Sequence, residues 1–191
     1  MVWSIVTALT QFSLQINDKF GQGLLLAFIS GKYHSPRQEN RVFMFLDLMS
    51  STQIAEKLGN TQYYNLLRDF YADITNSIIY NGGEIYQYVG DEVVISWQYE
   101  IGVLQNKCIT CFYDIRSKIT AMEDKYQIKY NLVPDFKAAL HYGNVTAGEI
   151  GIIKRDIAYS GDVLNTTSRI LSKCIEFKEK LLISGKLFSS L

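Results

Sequence analysis

Arg41-Val42-Phe43-Met44-Phe45-Leu46-Asp47-Leu48-Met49-Ser50-Ser51-Thr52 is the stretch on which the reading of the fold turns. Val42 to Leu48 is an apolar run interrupted only by an aspartate, the pattern of a strand buried on both faces. Ser50, Ser51 and Thr52 then offer hydroxyl caps, so a strand hands over to a helix just after Asp47. Downstream, Tyr64, Leu67, Phe70, Tyr71, Ile74 and Ile78 recur at helical spacing from about Thr61 to Tyr80, and Asn81-Gly82-Gly83 stops that helix. Glu84 to Val89 and Val93 to Trp97 read as strands joined through Gly90-Asp91-Glu92, a hairpin with Asp91 at its tip.

A long helical pattern runs from about Val103 to Tyr126, and Pro134 precedes a strand, Phe136 to Tyr142, with a hairpin partner from Val145 to Ile150. Ile153 to Tyr159 reads as a strand, Val163 to Leu171 as a helix after Gly161, and Leu181 to Ser184 as a last short strand. This order of elements gives an α+β fold, a ferredoxin-like βαβ-type sheet with helices packed on it.

Upstream of Arg41 the character changes. Residues 1–16 form an apolar leader that is shorter than the roughly 20 residues of a membrane span. It reads either as the end of a membrane helix or as an amphipathic helix packing on a partner. Residues 17–40, polar from Gly31 on, read as a linker, so the domain proper occupies 41–191. Nineteen basic residues balance nineteen acidic ones, so no chain-wide field exists to hold a nucleic acid, and a phosphate ligand needs a local site. Cys108, Cys111 and Cys174 are an odd set without a secretory leader, read as buried thiols in a reducing compartment. His34 and His141 are isolated and read as surface or packing residues.

Three groups of residues carry chemistry. Asp47 and Asp91 stand at the ends of neighbouring strand elements, where they either cap turns or converge to bridge two divalent cations about 4 Å apart. The loop Leu48-Met49-Ser50-Ser51-Thr52 opens a helix whose free amides form a phosphate cradle, its serines being plain caps or part of that cradle. Asn165 and Arg169, four residues apart, share one helix face and can orient a ribose and neutralise charge on a phosphoryl group, or simply be solvated.

Phe45-Leu46-Asp47-Leu48-Met49-Ser50-Ser51-Thr52, Tyr88-Val89-Gly90-Asp91-Glu92 and Gly161-Asp162-Val163-Leu164-Asn165-Thr166-Thr167-Ser168-Arg169, in this order, resemble the class III adenylate/guanylate cyclase catalytic domain. The resemblance runs from about Arg41 to the end, and the stretch from Ile16 to Arg41 is similar to the segment that follows a membrane domain in some bacterial members. It implies a nucleotidyl cyclase of cyclic-nucleotide signalling that converts ATP or GTP to the 3′,5′-cyclic nucleotide. Asp47 and Asp91 would bind two Mg²⁺ or Mn²⁺ ions, with the Leu48 carbonyl completing one shell, and Asn165 and Arg169 would stabilise the transition state. The site would form between two chains in a head-to-tail homodimer, on a cytoplasmic domain tethered to the inner face of the plasma membrane if the leader is an anchor. Gln87 and Ala158 occupy the base-selecting positions where the family usually has lysine and aspartate or threonine; ATP is favoured on family frequency alone. The chain stops at Leu191, before the region where the family places a triphosphate-contacting lysine, so the domain is expected to be C-terminally incomplete. Two other readings stay open: a degenerate cyclase-like nucleotide-binding module, and a diguanylate cyclase, suggested by Gly90-Asp91-Glu92.

Overall fold

The computed structural model describes residues 31–153 and 155–191, together with Trp3, Ser4, Val6, Thr7, Thr10 and Gln11, which are helical. Most of the apolar leader and residues 17–30 of the linker lie outside the described residues. Among the described residues, no helix is long and apolar enough to cross a membrane.

The elements run β1 (Arg37–Leu48), α1 (Ser51–Leu58), α2 (Asn60–Tyr80), β2 (Glu84–Val89), β3 (Glu92–Gln98), α3 (Tyr99–Val103), a 3-10 turn (Leu104–Asn106), α4 (Lys107–Ala121), α5 (Glu123–Tyr130), β4 (Phe136–Ile150), β5 (Asp156–Ser160), α6 (Asp162–Phe177), β6 (Leu181–Ile183) and α7 (Gly185–Phe188). They form two compact units, Asn40–Val145 with Gly161–Leu191, and Met1–Glu39 with Thr146–Ser160.

In the larger unit the strand order is β2-β3-β1-β4, the arrangement of a split β-α-β-β-α-β motif, with β6 added parallel to β4. The ferredoxin-like sheet expected from the order of elements is therefore the one observed. The pleat explains its layering: Val42, Met44, Leu46 and Leu48 of β1, Val93, Ile95 and Trp97 of β3, and Ala138 and Leu140 of β4 all join one buried cluster with α2 and α4. Helix α2 contributes Leu66, Phe70, Ile74 and Ile78, and α4 contributes Cys108, Cys111, Phe112, Ile115 and Ile119. The three cysteines are free and buried, and burial pushes the Cys108 thiol up to about 11.

A repeated polar clamp fixes α5 on α2. Tyr126 and Lys125 both donate to Asp73 at 2.6 Å. One turn further on, Tyr130 and Lys129 donate to Asp69 at 2.8 and 2.6 Å. Both sides of the clamp repeat every four residues, so the two helices match turn for turn.

In the smaller unit, the end of β4 pairs antiparallel with β5, and Tyr33, Ala147 and Ile157 form a cluster of their own. The Glu149 amide donates to the Tyr33 carbonyl at 3.0 Å, and His34 pairs with the Glu149 carboxylate at 3.5 Å.

Several boundaries differ from the sequence reading. Strand β1 starts at Arg37, so polar residues read as linker continue the strand. Tyr64, placed on the buried face of α2, is 67% exposed, because the stripe actually runs through Leu66 at four-residue steps. The single helix expected from Val103 to Tyr126 is broken, with Gln105 and Asn106 at φ 53° and 57° and a second break at Met122. The hairpin expected around Gly143-Asn144 is a single fifteen-residue strand. Gly143 serves close packing and not a turn: a Cβ there would lie 2.6 Å from Cγ2 of Val163 on α6.

Gly143→Ala should therefore cost about 1–3 kcal/mol by overpacking. Urea denaturation of the purified chain measures it, and an unchanged midpoint would contradict the close approach of β4 to α6.

Candidate active site

The face of the sheet opposite α2 and α4 carries Asp47, Glu92 and Lys137. On β1 the residue between core positions Leu46 and Leu48 is Asp47, which stands opposite Glu92 in the β1–β3 register. On β4 the residue between Phe136 and Ala138 is Lys137, whose ammonium donates to the Asp47 carboxylate. Asp91 sits in the two-residue turn of the β2–β3 hairpin, where Gly90 takes φ 64°. Two hydrogen bonds hold that turn: the Leu48 amide donates to the Asp91 carbonyl at 3.4 Å, and the Tyr71 hydroxyl donates to the Gly90 carbonyl at 3.0 Å.

Asp47 and Asp91 stand close enough for the Asp91 charge to bear on the Asp47 carboxyl, so the fold brings together the two aspartates singled out in the sequence. Burial raises the Asp47 carboxyl above its ordinary value; Lys137 opposes the rise and the Asp91 charge adds to it. Burial, followed by the charges of Asp47 and Asp91, raises Glu92 to about 7. Three carboxylates thus share one buried ammonium. Tyr63 borders the group, its hydroxyl raised by burial and then by the Asp91 charge, with the nearby Ser51 hydroxyl opposing the rise.

Sequence reasoning did not single out Lys137, Glu92 or Tyr63. A charged residue inside the apolar run Phe136 to Leu140 was the available signal for Lys137; its partner lies ninety residues earlier.

The loop after Asp47 is more engaged than expected. The Met49 amide donates to the Asp135 carbonyl at 2.8 Å, and the Leu48 amide is taken by Asp91. Ser50 occupies the N-cap of α1 in the left-handed region, φ 58° and ψ 28°, without a side-chain cap bond. A capping hydroxyl needs extended backbone dihedrals, and this conformation turns it away. The amides of Ser51 and Thr52 fall in the first helical turn, which has no intrahelical acceptors.

Gln87 owes its orientation to a bulge. The β2–β3 register shifts between Ile85 and Gln87, so Gln87 pairs with Val94 while Tyr88 pairs with Val93. Gln87 is thereby carried to the face that bears Asp47 and Glu92, and Tyr88 turns back to stack on Tyr71 at 4.5 Å. Ala158, on β5 opposite Gly148, belongs to the smaller unit and is half-buried.

Asn165 and Arg169 lie one turn apart on α6, both exposed, while Val163, Thr167 and Leu171 form its buried side. Among the described residues neither side chain has a hydrogen-bond or ion-pair partner, and neither touches the carboxylates.

Among the described residues, no cluster of three or more His, Cys, Asp or Glu side chains is arranged as a metal site. Two carboxylates nevertheless suit a hard cation such as Mg²⁺, which typically takes one or two carboxylates and completes its shell with water, carbonyl or phosphate oxygen. Burial is the main cause of the raised Asp47 and Glu92 carboxyls, with neighbouring carboxylate charge adding to it, and these hard oxygen donors fit a divalent cation.

Residues 33–191 match the model of the adenylate and guanylate cyclase catalytic domain, and the chain belongs to that family. It is 38% identical over 180 residues to Adenylate cyclase 2 of Rhizobium meliloti (strain 1021), covering 94% of this chain and 50% of that protein. It superposes on a bacterial light-regulated adenylyl cyclase with TM-score 0.83 at 20% identity, covering 100% of this chain and 57% of the other. Against the adenylyl cyclase CyaB from P. aeruginosa the TM-score is 0.70 at 18% identity, with 82% of each chain covered. The chain spans about half the length of the Rhizobium relative.

Glu92 makes the site's charge measurable without any ligand. The unfolded carboxyl titrates near 4.5 and the folded one near 7, so the native state keeps a proton that the unfolded chain releases, and stability falls as pH rises through this window. With EDTA present, Glu92→Gln should be neutral at pH 4 and stabilising above pH 7, by about 1 kcal/mol after solvent screening is allowed for. An equal effect at both pH values, read by denaturant titration, would show that neither burial nor the two aspartates raises Glu92.

Proposed function

We propose that this chain is the catalytic domain of a nucleotidyl cyclase that converts ATP, or GTP, to the 3′,5′-cyclic nucleotide and pyrophosphate. The observation that carries the reading is the convergence of Asp47 and Asp91 next to a helix-opening loop, within a chain of the cyclase family. Asp47, Asp91 and the Leu48 carbonyl would hold two Mg²⁺ or Mn²⁺ ions. When bound, such ions lower the pKa of a coordinated hydroxyl and neutralise phosphate charge.

The chain's own residues would do the rest. The amides of Ser51 and Thr52 face the phosphates from the first turn of α1. Lys137, which pairs with Asp47, would have phosphate oxygen as an alternative acceptor when a nucleotide is bound. Asn165 would orient the ribose, and Arg169 would stabilise the charge building on the α-phosphate. O3′ attacks the α-phosphorus in line; a new O3′–P bond forms as the bond to the pyrophosphate oxygen breaks, and the hydroxyl proton leaves to solvent.

Asn165 and Arg169 are exposed and without partners among the described residues, which supports a head-to-tail homodimer. The aspartates of one chain would then meet the Asn165 and Arg169 of its partner, giving two sites per dimer. ATP is favoured by the name of the 38% identical relative. Gln87 can donate or accept to either purine.

The occupation of Asp47 by Lys137 favours a second reading, a module that binds nucleotide without turnover. Product assays with Mn²⁺ and each triphosphate separate the two. Wild type should form a cyclic nucleotide, and Asp47→Ala or Asp91→Ala should lower the rate by about 10³-fold or more. An equal mixture of Asp47→Ala and Arg169→Ala chains should recover about a quarter of wild-type activity, because half the dimers regain one of two sites. Nucleotide binding without product in the wild type would establish the second reading; no recovery on mixing would remove the shared interface.

A further inference from the structure

Outside the carboxylate group, another cation stands at the loop that follows Asp47. Lys180 lies just before β6, and its backbone carbonyl accepts from the Ala138 amide at 2.8 Å, which anchors it beside the start of β4. Its ammonium pairs with the Asp135 carboxylate and lies 2.8 Å from the Met49 sulfur. Asp135 therefore makes two attachments at once. Its carbonyl holds the loop through the Met49 amide, and its carboxylate holds the lysine over the same loop.

The pair is open to solvent, with the Lys180 side chain 34% and the Asp135 side chain 58% exposed. An exposed ion pair of this kind contributes little to stability. The thioether is a weak acceptor and leaves ammonium hydrogens free for a stronger one.

We propose that Lys180 is a phosphate-binding residue of the triphosphate site, parked on Asp135 when no nucleotide is present and transferred to the terminal phosphates when a triphosphate lies on the Met49 to Thr52 loop. The inference rests on the cyclase reading above and adds to it the residue that distinguishes a nucleoside triphosphate from a monophosphate. Asp135 acts as a competitor for the lysine, so the two residues make opposite predictions. A charge-assisted hydrogen bond to phosphate strengthens binding by about tenfold or more, whereas the parking bond must be broken first.

The test compares Lys180→Met, Lys180→Arg and Asp135→Asn with wild type in two readouts: KM and kcat for cyclic nucleotide formation, and the Kd values for ATP and AMP by calorimetry. Lys180→Met should raise the KM and Kd for ATP about tenfold, leave the Kd for AMP within twofold, and change kcat little. Lys180→Arg should restore most of the loss, and Asp135→Asn should leave the Kd for ATP equal or lower it. If Lys180→Met lowers only the melting temperature and leaves the affinity for ATP intact while wild type makes product, the lysine is a structural link and the proposal is overturned with the cyclase reading standing. If ATP and AMP bind wild type equally weakly and no product forms, both fall.

Discussion

The ion pair between Lys137 and Asp47 is the constraint that the site is built around. Three carboxylates, those of Asp47, Asp91 and Glu92, are drawn to the end of the two central strands and left with a single buried ammonium. Removing charges from water costs several kcal/mol per ion unless partners compensate, so this corner is tolerable only while its geometry is maintained. The sheet maintains it by register. Asp47 faces Glu92 because Met44 faces Ile95 and Leu46 faces Val93, and those core residues fix the pleat against α2 and α4. The excess of carboxylate over ammonium at this corner is a product of packing on the other side of the sheet.

Much of this was legible in the chain itself, for identifiable reasons. The run from Val42 to Leu48, the helix ending at Tyr80 and the two strands around Gly90-Asp91 were legible because each has one strong period and clear stops. The reading failed where a residue type has two uses. Gly143-Asn144 has the composition of a turn, yet the glycine is there to admit Val163, a contact twenty residues away that no local pattern reports. The break at Gln105 and Asn106 contains neither glycine nor proline, so the periodicity ran across it.

The candidate site divides along the same line. Asp47 and Asp91 announced themselves as carboxylates at the ends of apolar runs, and Asn165 with Arg169 as a pair at helical spacing. Lys137, Glu92 and Lys180 did not, because what gives each of them meaning is a partner on another strand or loop. Met49 shows the opposite case: its amide looked available for phosphate in the sequence, and Asp135 takes it in the fold. Ser50 likewise has the chemistry of a cap and a backbone that forbids the capping bond.

The bulge in β2 has a consequence for how this part of the chain can vary. Tyr86 is the extra residue of that strand, since Ile85 and Gln87 oppose consecutive residues of β3. A homologous chain one residue shorter at this place would form a regular strand with Gln87, Tyr88 and the Gly90-Asp91 turn all facing as they do now. Length at position 86 is thus decoupled from the side chains at positions 87 and 91, and a single-residue gap there in an alignment would mark no change in the Gly90-Asp91 turn. A gap between Gln87 and Asp91, by contrast, would rotate one of them out of the site.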